Sequence, residues 1–171
     1  MTHPKLRLAA AKFALELAKV ADLTEAAHAA LDDALYADGL AVIATSPYME
    51  FPEASSHFTA ALRKLDHAFA SRDDALRYVR LSYFTPVAEQ NGDPVHALRW
   101  DARFDHQRWY DRLRGLSAWD EPSSLELSDH WHGREYGWYD QQLELGVTDP
   151  AEVDRAWQAK AISLCRDWCR E

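Results

Sequence analysis

Along the first seventy residues the apolar positions recur every three or four places. Leu6, Ala10, Phe13, Leu17 and Val20 form one stripe, and Leu23, Ala27, Ala30, Leu31 and Ala34 form a second. This is the period of an amphipathic helix. Pro4 suits the first turn of the first helix. Asp22 with Glu25 reads as a capping-box start for the second, and Asp38-Gly39 reads as its stop. The run LAVIAT (40–45) is short, apolar and β-branched, so a buried strand is expected there. After the loop TSPYMEFPE, Pro52 opens a third helix with Phe58, Leu62, Leu65 and Phe69 inward. Ser71 and Asp74 mark a further helix start.

From about residue 78 the period becomes two. In VHALRWDARFD (95–105), His96, Leu98, Trp100, Ala102 and Phe104 point one way and Arg99, Asp101, Arg103 and Asp105 the other. Such alternation predicts a half-buried strand. The turn cluster QNGDP before it predicts a hairpin of 78–89 with 95–104. HQRWYDRLRG reads as a short helix ended by Gly115. SLELSDHWH (124–132) alternates again, with Trp131 inward, Gly133 as the turn and YGWYDQQLEL returning as a strand. Asp149, Pro150 and Glu152 then open a C-terminal helix, with Val153, Trp157, Ala161, Leu164 and Trp168 as its stripe. The expected fold is one α+β domain over residues 1–171. A helical layer (1–75) and a C-terminal helix (148–171) pack on an antiparallel sheet of four or five strands (76–147).

Composition narrows the function more than the fold. The chain has 171 residues, a formal net charge of −9 and a pI near 5.3. That balance disfavours nucleic acid, which needs a basic face, and an anionic membrane surface. A basic protein partner is favoured instead. No run reaches the roughly 18 apolar residues of a membrane span, and no signal-peptide pattern opens the chain. A cytoplasmic protein, monomeric or homodimeric, is expected. Abundant arginine and alanine suggest a bacterial source with a GC-rich genome.

Candidate chemistry is sparse. GxSxG, GxGxxG, the P-loop, HExxH and CxxC are all absent. Cys165 and Cys169 lie four apart on the C-terminal helix and read as small residues beside its apolar stripe. All seven tryptophans fall between Trp100 and Trp168. Alternation cannot bury Trp109, Tyr110, Trp119, Tyr136, Trp138 and Tyr139 together, so these six are the expected binding surface or cleft. Two functions follow. The first is a small acidic protein-binding module, an immunity-type inhibitor being one form, that uses this aromatic surface. The second is an enzyme or small-molecule binder with a Trp/Tyr-lined cleft. In that reading His130 and His132, on one face of a strand with Glu126, hold a divalent metal. No other cofactor is expected. An acidic DNA mimic is disfavoured because arginines are interspersed among the acids.

Overall fold

The computed structural model describes residues 3–46, 48–102, 130–132, 146 and 149–170. Among the described residues every regular element is an α-helix and there is no strand. The expected α+β architecture with its four or five strands is therefore corrected to a helical one. The chain divides inside one helix into two compact units, Met1–Val79 and Arg80–Glu171.

The first unit holds α1 (Pro4–Ala14), α2 (Val20–Asp32), α3 (Asp38–Thr45), α4 (Phe51–Leu65) and the start of α5 (Arg72–Ala88). α1 packs on α2, α2 on α3 and α4, and α3 on α4. Leu6, Leu23, Leu40, Ile43 and Phe58 are fully buried among Ala10, Ala27, Ala30, Ala54 and Ala61. Small residues at the crossings let helix axes come close. The closest approach is at Gly39, where a methyl group would collide with the His57 carbonyl oxygen and sit 3.3 Å from Ala61 Cβ. The expected strand at 40–45 is thus part of α3. Leu40 and Ile43, three apart, are buried while Val42 is exposed. A lone strand would leave its backbone groups unpaired, and a helix pairs its own.

Helix starts follow local chemistry. His3 Nδ1 accepts from the Leu6 amide at 3.2 Å, and Pro4 sits in the first turn. α2 begins three residues before the expected cap, with Lys19 as N-cap and Asp22 at the third helical position. Burial works against the Asp22 carboxylate. The Lys12 ammonium at 2.9 Å, the Lys19 amide and both lysine charges outweigh that and hold its pKa below the usual carboxylate value. Ser71 Oγ accepts from the Asp74 amide at 3.0 Å and donates to its carboxylate at 2.7 Å, the reciprocal start expected for α5. Asp38-Gly39 does not stop α2 but opens α3.

The stops of α1, α2, α4 and α5 share one device. Glu16, Ala34, Asp66 and Gln90 have φ of 61°, 60°, 53° and 63°. The amide after each reaches back five residues: Leu17 to Lys12 O, Leu35 to Ala30 O, His67 to Leu62 O and Asn91 to Pro86 O, at 2.8–3.0 Å. These are Schellman closures in which a side-chain-bearing residue stands where glycine is usual.

The second unit contains the rest of α5, α6 (residues 94–102), helical residues 130–132, and α7 (Pro150–Arg170). The expected hairpin of 78–89 with 95–104 is corrected: 78–88 lie in α5 and 95–102 in α6. QNGDP is a turn, but it joins helices. Asp93 Oδ1 accepts from the Val95 amide at 2.9 Å, with Pro94 in the first turn. Residues 130–132 of the expected strand 124–132 are helical, and the remainder lies outside the described residues. α7 forms where expected. Asp149 caps it at 2.9 Å, and Val153, Trp157, Ala161 and Leu164 are buried. Trp168 sets its edge on Phe84 at 5.1 Å. No helix among the described residues is long and apolar enough to cross a membrane.

Two substitutions test this backbone. Ala34→Gly relieves a left-handed alanine and is expected to raise stability by about 0.5–1 kcal/mol, net of the entropy glycine adds to the unfolded chain. Gly39→Ala is expected to lower it by about 2 kcal/mol, because a backbone oxygen cannot yield and the overpacking exceeds the gain in helix propensity. Urea unfolding followed by helical circular dichroism measures both. Equal midpoints for the two variants and the parent chain would refute the account.

Candidate functional site

The histidines of the expected metal site are the first place to look. On a helix, residues two apart lie about 200° around the axis, so His130 and His132 do not share a face as they would on a strand. His130 is buried at 9% exposure, and His132 is half-buried. The His130 ring stacks on Trp157 with centroids 5.0 Å apart and planes 7° from parallel. Its Nε2 lies 3.0 Å from the Trp157 carbonyl oxygen, which only accepts, so Nε2 carries the hydrogen. In return Trp157 Nε1–H donates to the His130 carbonyl at 3.2 Å. Trp131, buried as expected, meets Trp157 edge-on at 6.3 Å. The pair ties residues 130–132 to α7, and Nε2 is engaged in that tie. Glu126 lies outside the described residues. Among the described residues no cluster of three or more His, Cys, Asp and Glu side chains could hold a metal ion.

Deeper in the same unit is a charged interior. Arg80 Nε donates to Asp101 Oδ1 at 2.8 Å, and both side chains are fully buried. Burial pushes the Cys165 thiol up to about 12, and the neighbouring Cys169 and Asp101 charges add to the effect. Cys169 is only partly buried, and its sulfur lies 3.9 Å from the Thr85 hydroxyl. A thiol so raised is neutral at physiological pH and a poor nucleophile. This interior binds the helices together, and its Cys165 is no attacking group.

The exposed face of the first unit is different. Five large apolar side chains stand exposed among the described residues: Leu17, Tyr36, Val42, Tyr48 and Phe51. Four of them lie between residues 36 and 51, with Tyr48 at 95% and Tyr36 at 59% exposure. They fall inside a longer stretch, residues 20–62, that has no lysine or arginine. That stretch carries Asp22, Glu25, Asp32, Asp33, Asp38, Glu50 and Glu53. Lys5, Lys12 and Lys64, from outside it, pair with Glu25, Asp22 and Asp38. Glu50 and Glu53 flank Phe51 and are exposed. The sequence signal for this surface was the missing cations, not an aromatic count.

The six aromatics expected to form the binding surface, Trp109, Tyr110, Trp119, Tyr136, Trp138 and Tyr139, lie outside the described residues. The chain matches no protein-family model, no curated protein and no solved structure.

The contrast between the two thiols is directly measurable. Native protein treated with a thiol-exchange reagent at pH 8 is expected to lose only Cys169, with Cys165 reacting after denaturation. A Cys169→Ala variant is then expected to show no native reaction over the same period. Rapid native labelling of that variant would contradict the buried, neutral thiol.

Proposed function

We propose that the chain is a protein-binding module for a basic partner, which it blocks by covering, in the manner of an immunity-type inhibitor. One observation carries the reading. The exposed Tyr36, Tyr48 and Phe51 lie along a stretch of sequence with carboxylates and no lysine or arginine. Lys5, Lys12 and Lys64 from outside it pair with Glu25, Asp22 and Asp38, and Lys64 also lies 5.7 Å from the Tyr36 ring. Glu50 and Glu53 beside Phe51 remain exposed. Aromatic anchors supply most of the binding energy in protein interfaces. Surrounding charge of one sign steers an oppositely charged partner and rejects others. Tyr48, at 95% exposure, has no role in packing, and it stands three residues from the exposed Phe51 in the chain, so both are open to a partner.

The experiment is affinity capture from the native host at low salt, followed by mass spectrometry and titration of the captured protein. The expected partner is basic and elutes with salt. Tyr48→Ala is expected to weaken binding about tenfold, through faster dissociation once the anchor is lost. Glu50→Lys with Glu53→Lys is expected to slow association while leaving the fold intact. Substitutions at Trp109, Tyr110, Trp119, Tyr136, Trp138 and Tyr139 form a parallel set. If all captured proteins bind the residue-48 and residue-50/53 variants as tightly as the parent, the surface assignment is wrong.

A further inference from the structure

A second feature of the first unit lies next to this surface and differs from it in charge. Between α1 and α4 lies an open cleft of about 280 Å³, lined by Ala10, Phe13 and Ala14 from α1, Thr59, Leu62 and Arg63 from α4, and Ala68 and Phe69 beyond it. Its walls are held in place. Phe13 is set edge-on against Phe58 at 5.4 Å and lies 6.4 Å from Phe51. The Arg7 guanidinium sits 3.8 Å over the Phe69 ring and donates to the His67 carbonyl oxygen at 3.1 Å. The lining is apolar except at two residues. Thr59 already donates its hydroxyl hydrogen to Ser55 O at 2.8 Å. Arg63 is exposed and has no ion-pair partner among the described residues.

From this we infer a binding site for a compact hydrophobic carboxylate, its apolar body in the cleft and its anionic group on Arg63. A pocket with mostly apolar walls and a single orienting charge is the usual form of a small-molecule site. A cavity of about 150 Å³ holds benzene, so this cleft suits a body of roughly ten to twelve non-hydrogen atoms, the size of two fused rings. Most of the chain's net charge of −9 repels anions. An arginine without a carboxylate partner is the place where one is accepted, and its planar fork fits a carboxylate in two hydrogen bonds. The site adjoins the aromatic, acidic surface proposed above, because its wall residue Phe13 lies 6.4 Å from Phe51, but it takes an occupant of the opposite charge.

The test uses the full chain and 1-naphthoate as probe, with 1-naphthamide as its neutral counterpart. Isothermal titration is expected to give a Kd on the order of 100 μM or tighter for the naphthoate, and about tenfold weaker binding for the amide. Arg63→Gln, at an exposed position, is expected to weaken the naphthoate by about the same factor and leave the amide unchanged. Ala14→Phe, which fills the cleft from its half-exposed edge, is expected to abolish both. Amide chemical-shift changes on the unaltered chain should centre on Ala10, Ala14, Leu62 and Phe69, which keeps the test valid if Ala14→Phe folds poorly. Absence of naphthoate binding at ~1 mM, equal binding of the two probes, or shift changes centred elsewhere would each overturn the inference.

Discussion

Arg80 and Asp101 are taken wholly out of water and given to each other at 2.8 Å, and the second unit is organised around that exchange. Removing two ions from solvent costs several kcal/mol each, and only close, hydrogen-bonded pairing offsets it. Losing one partner from such a pair costs about 3–5 kcal/mol. α5 and α6 must therefore be seated together, and Phe84, Val87, Ala97, Leu98 and Ala102 of these helices share one buried core. α7 shares that core through Trp157, Ala161 and Cys165, and Trp157 in turn holds His130.

The same pair explains why residues 78–102 read as a hairpin in the sequence although 78–88 and 94–102 are helical. The buried positions of α6 are Ala97, Leu98, Asp101 and Ala102, which follow the helical period. Asp101, being a carboxylate, was assigned to a solvated strand face, and what remained looked like alternation. In α5 the buried set Leu76, Val79, Arg80, Phe84 and Val87 is helical too, with a guanidinium in one apolar slot. A period count that scores charge as exposed loses one member from each helix. Asp93-Pro94 was the signal available: it caps α6 as Asp149-Pro150 caps α7. The second was read as a helix start and the first as a hairpin turn.

In the first unit the apolar stripes of α1, α2 and α4 were legible in Leu6, Ala10, Leu23, Ala27, Ala30, Phe58 and Leu62, because no buried charge interrupts them. Leu17 and Ala34, expected in the same stripes, lie past the helix ends and are exposed. Their ends were not. Four helices stop on left-handed residues that are not glycine, and nothing in Glu16, Ala34, Asp66 or Gln90 announces a stop. The packing that overrides their strain acts from other elements, which a local reading cannot see. α3 was hidden for another reason. At eight residues it is only two longer than the expected strand, and its identity depends on Gly39 fitting against α4. For the site, the aromatic surplus of the second half stands out in the sequence, while the exposure of Tyr36, Val42, Tyr48 and Phe51 in the first half depends on packing that no local pattern encodes.

The cation-free stretch from Val20 to Leu62 has a practical side. It contains no primary amine and no site for a trypsin-like protease. Coupling the chain to a support through its lysines cannot attach it by this stretch. Digestion of the unfolded chain releases it as part of one long peptide, so a cross-link formed anywhere from α2 to the last turn of α4 reports to a single fragment.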